Sequence, residues 1–121
     1  MSAFFDTNIV IDLLAGYPPA LSEAALHREV GISRITWMEV LIGSPDLPVR
    51  RQWESFLVQF ELVEMDEEVC REAIELRQQF RIKLPDALIL ASARSYGADL
   101  VTRNTRDFPA GTPGVRIPYT R

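Results

Sequence analysis

The sequence predicts an α/β domain whose central sheet is mostly parallel and flanked by helices. Short apolar segments with the length of strands alternate with longer segments in which apolar residues recur at helical spacing. This alternation is typical of a mostly parallel sheet covered by helices. The length of 121 residues, of which 47% are hydrophobic and 25% charged, suits one globular domain over 1–121 and excludes a disordered chain.

The first quarter of the chain predicts a strand followed by two helices. Three apolar residues form a buried strand at 3–5, which ends at Asp6. Apolar residues then recur at helical spacing as far as Gly16, which ends the first helix. The pair Pro18–Pro19 begins a second helix, because proline is favoured in the first helical turn. The predicted inward-facing residues of this helix are Leu21, Ala25 and Leu26.

The middle of the chain predicts two further strands separated by two helices. A strand at 30–35 leads into a helix that begins at Thr36 and ends before Gly43. The next helix begins at Pro48 and has one apolar face. That face consists of Trp53, Phe56, Leu57 and Phe60. A short strand at 62–65 follows it.

The remainder of the chain predicts two helices and two strands. Asp66 is a favourable N-cap for an amphipathic helix. Its inward face consists of Val69, Ala73, Leu76 and Phe80. A very apolar helix begins at Leu84–Pro85 and ends at Gly97, where glycine favours termination. A buried strand at 100–102, a polar loop and an edge strand at 115–117 complete the chain.

The net charge and the single cysteine exclude few functions, and other features of the sequence predict the cellular compartment. The net charge of −4 weighs against a nucleic-acid partner. Seven acids lie within 61–75, however, which leaves ten acids and twelve bases elsewhere, so binding to nucleic acid stays open. The single cysteine, Cys70, excludes an internal disulfide. We expect a cytoplasmic protein without a membrane segment, because the chain starts without a basic leader and contains no long uncharged apolar run.

Four carboxylates occupy positions where a parallel sheet gathers its ligands. Asp6 follows the first strand, and Asp107 lies in the polar loop after the last central strand. Glu39 and Asp86 each lie near the start of a predicted helix. Ligands of open α/β sheets bind beyond the carboxyl ends of the strands. The four side chains are therefore candidates for one site.

Three of these acids also have a purely structural interpretation. Asp6 is a good helix N-cap. The spacing Thr36-x-x-Glu39 matches a capping box, in which the glutamate bonds back to the backbone of Thr36. Asp107 can cap a tight turn. Asp86 favours function, because an otherwise apolar helix has no structural need for its one acid.

Carboxylates brought together repel one another unless a cation neutralises them. Oxygen ligands without cysteine or histidine suit a hard divalent ion such as Mg²⁺ or Mn²⁺. Such an ion supports hydrolysis of phosphodiesters, which needs no histidine. The single histidine, His27, is expected at the surface.

Four motifs in order resemble those of the PIN-domain family, in particular the VapC-type toxins of toxin–antitoxin pairs. The motifs are Phe4-Phe5-Asp6-Thr7-Asn8, Ser33-x-x-Thr36-x-x-Glu39-x-x-x-Gly43, Leu84-Pro85-Asp86-Ala87-Leu88-Ile89 and Thr102-Arg103-Asn104-x-x-Asp107-Phe108. The resemblance extends from Phe4 to about Ile117. It implies a PIN-like, doubly wound α/β/α sandwich and a ribonuclease that depends on Mg²⁺ or Mn²⁺.

The resemblance also implies roles for individual residues. Asp6, Glu39 and Asp86 match three acidic positions of the family's metal site. The fourth acid falls at Asn104 or Asp107, and we assign it to Asp107, with Asn104 as a hydrogen-bonding neighbour. The residues expected to orient Asp6 are Thr7, Asn8 and Thr102. Asp12, one turn beyond Asn8, is expected on the helix surface.

The partners that the resemblance implies are an RNA substrate, a second copy of the chain and an antitoxin. The antitoxin would wrap the toxin and insert a basic side chain into the acidic pocket. The helix after Pro48 has more apolar residues than one core-facing stripe needs, which suits a partner surface or simple core packing. These residues are Val49, Trp53, Phe56, Leu57, Val58 and Phe60.

Two other functions compete with a toxin ribonuclease. A PIN-like domain without activity would only bind RNA or a partner, and Asn104 keeps that alternative open. A receiver-like phospho-acceptor module would need paired acids after the first strand, an acceptor aspartate after a middle strand and a late lysine. This chain instead has Asp6 alone, Ser33–Arg34 after its second strand and a single lysine, Lys83.

Overall fold

The computed structural model describes residues 2–108 and 111–121, which form a five-stranded sheet and six helices. In chain order the elements are β1 (Ser2–Phe5), α1 (Thr7–Leu14), α2 (Pro18–Ala25), β2 (Glu29–Ser33), α3 (Arg34–Ile42), α4 (Leu47–Leu57), β3 (Glu61–Val63), α5 (Glu67–Phe80), α6 (Leu84–Tyr96), β4 (Leu100–Val101) and β5 (Val115–Arg116).

The sheet has the strand order β3-β2-β1-β4-β5, and every neighbouring pair is parallel. The chain therefore builds outward from β1 to β3 and then crosses to the other side of β1 for β4 and β5. This reversal places the carboxyl ends of β1 and β4 side by side, with Phe5 opposite Val101. Ligand sites of such sheets form at this kind of switch point.

Helices cover both faces of the sheet, as predicted for an α/β/α sandwich. Successive side chains of β1 point to opposite faces, so Phe4 packs with α5 and α6 whereas Ala3 and Phe5 pack with α1, α3 and α4. Leu100 and Val101 of β4 alternate in the same way. Each face thus has its own apolar core.

The apolar face predicted for α4 packs on the core, but the helix ends at Leu57, so Phe60 reaches that core from the turn after it. Leu57 and Phe60 are buried, and Trp53 and Phe56 pack partly buried against the same core. Val58, the residue after this helix, is by contrast 80% exposed to solvent.

The inward face predicted for α2 is wrong. Leu21, Ala25 and Leu26 are exposed, whereas Ala20 and Glu23 are buried. The physical reason is an ion pair, because the carboxylate of Glu23 bonds to the guanidinium of Arg116 on β5 at 2.9 and 3.0 Å. The pair fixes which side of α2 faces the domain.

The predicted strands differ from the observed ones by one or two residues at their ends, most clearly in β2 and β3. β2 ends at Ser33 rather than at 35, because the hydroxyl of Ser33 accepts a hydrogen bond from the backbone of Thr36 and so caps α3. β3 occupies Glu61–Val63 rather than 62–65, in register with β2. The edge strand predicted at the end of the chain is confirmed as β5. Within residues 2–108 and 111–121, no helix is long and apolar enough to span a membrane.

Candidate active site

Asp6 lies at the junction of β1 and α1 and is almost fully buried. Its Oδ1 accepts a hydrogen bond from the backbone amide of Thr7 at 2.7 Å, which caps α1. Its Oδ2 accepts one from the Thr102 hydroxyl at 2.7 Å and one from the Asn8 amide at 3.3 Å. Burial raises the pKa of Asp6, and the charge of Glu39 adds to the rise against these hydrogen bonds. The expected orienting residues therefore do surround this carboxylate.

Glu39 lies beside the first turn of α1, where it bonds to Thr7, and its charge acts on Asp6. The Thr7 hydroxyl donates to Oε1 of Glu39 at 2.6 Å and lies 3.0 Å from the hydroxyl of Thr36. The capping-box alternative for Glu39 is wrong, because Ser33 is the N-cap of α3. The carboxylate of Glu39 is exposed and directed to the acidic site through Thr7.

Asp86 lies half-buried in the first turn of α6. Burial raises the pKa of Asp86 to about 7, and the negative charges of Asp107, Asp6 and Glu39 add to the rise. An interaction between the carboxyl groups of Asp86 and Asp107 also contributes to the raised pKa of Asp86. The other three predicted acids thus lie close enough to Asp86 for their charges to act on it.

The segment after β4 forms a single helical turn that positions Asp107. The backbone amide of Phe108 bonds to the carbonyl of Asn104 at 3.3 Å, and the ring of Phe108 is buried. The Asn104 side chain accepts from the Asp107 amide at 3.1 Å and donates to Oδ2 of Asp107 at 2.9 Å. This hydrogen bond, with the positive charges of Lys83 and Arg106, lowers the pKa of Asp107 against burial. Asn104 is therefore the neighbour that holds Asp107.

The chemistry of this cluster fits a hard divalent cation. It offers carboxylate oxygens, and burial together with the neighbouring negative charges raises the pKa of Asp86, an effect that a bound cation would oppose. Among the described residues, no three acidic, histidine or cysteine side chains already converge enough to hold an ion.

Comparison with known proteins identifies the family. The family model for the PIN domain matches residues 3–110. The chain belongs to the PIN-domain family. This confirms the family predicted from the four motifs.

Solved structures similar to this PIN domain include toxin–antitoxin complexes. One from Klebsiella pneumoniae contains a chain that is 40% identical, with a TM-score of 0.92 over 98% of this chain and 99% of that one. VapBC2 from Rickettsia felis, bound to a DNA fragment of its promoter, is 23% identical with a TM-score of 0.78 over 95% and 96% of the two chains. FitAcB from Neisseria gonorrhoeae is 23% identical with a TM-score of 0.79 over 98% of each chain. The last two show the shared fold alone. Comparison with curated proteins finds no match.

Two residues expected at the surface are buried in this PIN domain. The side chain of His27 is 7% exposed, because Glu23 bonds to it at 2.9 Å and the ring of Phe5 lies edge-on to it. Asp12 is 1% exposed and bonds to Arg103, Tyr119 and Arg121. One feature of the sequence could have indicated that Asp12 is buried, namely its place in an apolar helix one turn after Asn8. Its partners could not be inferred, because they lie 91 to 109 residues later in the chain.

Proposed function

We propose that this PIN domain is a metal-dependent endoribonuclease and the toxin of a toxin–antitoxin pair. The observation that carries the proposal is the gathering of Asp6, Glu39, Asp86 and Asp107 at the switch point of the sheet, with the pKa of Asp86 raised to about 7. A structural role would not require four acids to repel one another. The 40% identical chain from a Klebsiella pneumoniae toxin–antitoxin complex supports the toxin role.

The four carboxylates would hold Mg²⁺ or Mn²⁺. A divalent ion there would lower the pKa of a bound water and neutralise charge on a phosphodiester. Thr102, Asn8 and the backbone of Thr7 hold the carboxylate of Asp6 in one orientation.

The other three carboxylates differ in their hydrogen-bond partners and in their pKa. Asn104 holds the carboxylate of Asp107, and the Thr7 hydroxyl holds that of Glu39. Asp86 has to release its proton before it can serve as a ligand. These hydrogen bonds would therefore fix the orientation of the individual carboxylates.

The proposed antitoxin would bind beside this site. Ile11, Leu14 and Trp53 line an apolar groove between α1, α3 and α4, and Glu39 lies on the wall of the same groove. The sequence also suggested the aromatic residues of α4 and the turn after it as a partner surface. Of these, Phe60 is buried in the core, whereas Trp53 lines this groove. A second copy of the chain remains a further proposed partner.

The test is cleavage of single-stranded RNA by the purified protein with Mg²⁺ or Mn²⁺ and with excess EDTA. We expect cleavage only with the metal, and a loss of orders of magnitude in Asp86→Asn. The matched control is Asp46→Asn, because Asp46 caps α4 through Val49 and lies outside the site. Undiminished cleavage in excess chelator would refute the metal mechanism. Binding of RNA or antitoxin without cleavage under any condition would favour a binding-only domain.

A further inference from the structure

Asp12 is a buried acid that the proposed mechanism does not use. Its side chain is 1% exposed and all its hydrogen bonds come from outside α1. Oδ2 accepts from Nε of Arg103 and from the Tyr119 hydroxyl, both at 2.8 Å. Oδ1 accepts from Arg121 at 2.6 Å and from Nη2 of Arg103 at 3.4 Å. The carboxylate is thus saturated by donors of the loop after β4 and of residues 119–121.

Asp12 and Asn8 hold the same residue from one face of α1. They are four positions apart in the helix, so their side chains share that face. Asp12 binds the side chain of Arg103, and Oδ1 of Asn8 accepts a hydrogen bond from the Arg103 backbone amide at 3.2 Å. Arg103 is therefore fixed to α1 at two points.

Residues of the acidic site flank this anchored residue on both sides. The Thr102 hydroxyl donates to Asp6 at 2.7 Å and accepts from the backbone amide of Asn104 at 3.0 Å. Asn104 in turn holds Asp107 through two hydrogen bonds. Any displacement of Arg103 would move the groups that orient both carboxylates.

We propose that Asp12 is a positioning residue, which anchors Arg103 to α1 and thereby sets the distance between the carboxylates of Asp6 and Asp107. The ligand in question is the divalent cation of the proposed function, on which this inference rests. The side chain of Asp12 bonds to Arg103, Tyr119 and Arg121 rather than to any of the four carboxylates. It acts through the loop after β4.

Glu23 provides the matched control. It is also a buried helical acid, 4% exposed, that pairs with an arginine from the β4–β5 side of the sheet, namely Arg116. Within the described part of the chain, the side chain of Glu23 bonds to Arg116 and His27 and to none of the groups that bond to Asp6 or Asp107. A change of acid to amide at either position removes one buried charge, but only the change at Asp12 releases the loop.

The first experiment measures amide hydrogen exchange in the metal-free protein. The amides of Arg103 and Asn104 bond to the side chains of Asn8 and Thr102 rather than to a strand. We expect them to exchange about tenfold faster in Asp12→Asn than in Glu23→Gln, after correction for global stability. Equal exchange of these amides in the two variants would overturn the proposal.

The second experiment measures Mn²⁺ binding by calorimetry. We expect the dissociation constant to rise about tenfold or more in Asp12→Asn and to stay near the wild-type value in Glu23→Gln. A wild-type protein that binds no Mn²⁺ would refute the proposed function, whereas the exchange experiment would still decide the role of Asp12.

A pair of variants at Arg103 guards against failure of Asp12→Asn to fold. Arg103→Gln removes the ion pair but leaves the backbone amide, so it should reproduce the faster exchange. Arg103→Lys keeps a cation beside Asp12 and should restore most of the protection. Full protection in Arg103→Gln would show that Asp12 does not position the loop.

Discussion

Replacement of Asp86 by asparagine should stabilise the metal-free protein while it removes cleavage. Burial and the charges of Asp107, Asp6 and Glu39 raise the pKa of Asp86 from 3.8 to about 7. A carboxyl whose pKa is raised on folding binds more protons in the folded state. Its ionisation therefore lowers the free energy of unfolding as pH rises from about 4 to above 7. Asparagine carries no charge, so the free energy of unfolding of the variant does not fall in this way as pH rises.

The size of the gain follows from the pKa values. The rise from 3.8 to about 7 corresponds to about 4 kcal/mol at full strength. Because Asp86 is only half-buried, solvent screening reduces this to about 1–2 kcal/mol. The first turn of α6 favours a negative charge by about 0.3–1 kcal/mol, which opposes the gain. We therefore expect Asp86→Asn to raise the free energy of unfolding by about 1 kcal/mol at pH 8 and by almost nothing at pH 4.

The assay is urea denaturation with EDTA at both pH values, with Asp12→Asn as the comparison. Hydrogen bonds from Arg103, Tyr119 and Arg121 hold the pKa of Asp12 below its usual value despite burial. Its stabilisation is therefore present above pH 4 and is lost as pH falls through the lowered pKa. Asp12→Asn should thus lower stability at pH 8 by about 1–3 kcal/mol, opposite in sign to Asp86→Asn.

Added Mn²⁺ should make the wild-type protein more stable than Asp86→Asn, which reverses their order of stability in EDTA. A ligand that binds only the folded state stabilises it in proportion to the logarithm of its concentration over its dissociation constant. Wild type should gain stability with Mn²⁺, and the variant should gain less. Destabilisation of Asp86→Asn at pH 8 without metal would refute the reasoning, because the acid would then serve the helix rather than a site.

Three further predictions concern the site and the sheet. Glu39→Gln should lose cleavage but change the free energy of unfolding by less than about 0.5 kcal/mol, because the carboxylate of Glu39 is exposed and caps no helix. A fully active variant would remove Glu39 from the site. Asp107→Asn should weaken Mn²⁺ binding more than Asn104→Ala does, and calorimetry with the reverse ranking would reassign the fourth ligand. Gly31→Ala should destabilise the protein by about 1–3 kcal/mol in urea, because an added Cβ would lie 2.9 Å from the buried ring of Phe4; unchanged stability would show that the ring can move aside.

Much of the fold and of the candidate site follows from local patterns in the sequence. Apolar runs of strand length, helical spacing and terminators such as Gly97 depend on neighbours in the chain, so the α/β/α architecture was predictable. The position of Asp6 directly after a buried strand was equally local. Its gathering with Asp86 and Asp107 followed from the rule that parallel strands bring their carboxyl ends to one edge.

Other features depended on partners far away along the chain. The side of α2 that faces the domain is set by the pairing of Glu23 with Arg116, 93 residues later. Asp12 is buried because Arg103, Tyr119 and Arg121, from 91 to 109 residues later, supply its donors. No periodicity along one helix reveals whether a charge meets solvent or a counter-ion.

The sequence by itself therefore determined the architecture and the family, and it singled out four acids as candidates for one site. Only the tertiary structure decided that Glu39 forms no capping box with Thr36, that the side chain of Asn104 bonds to Asp107, and that Asp12 is buried against Arg103. The physical reason is that burial of a charge costs several kcal/mol unless specific donors face it. Whether such donors are present is a property of the assembled fold rather than of any one segment.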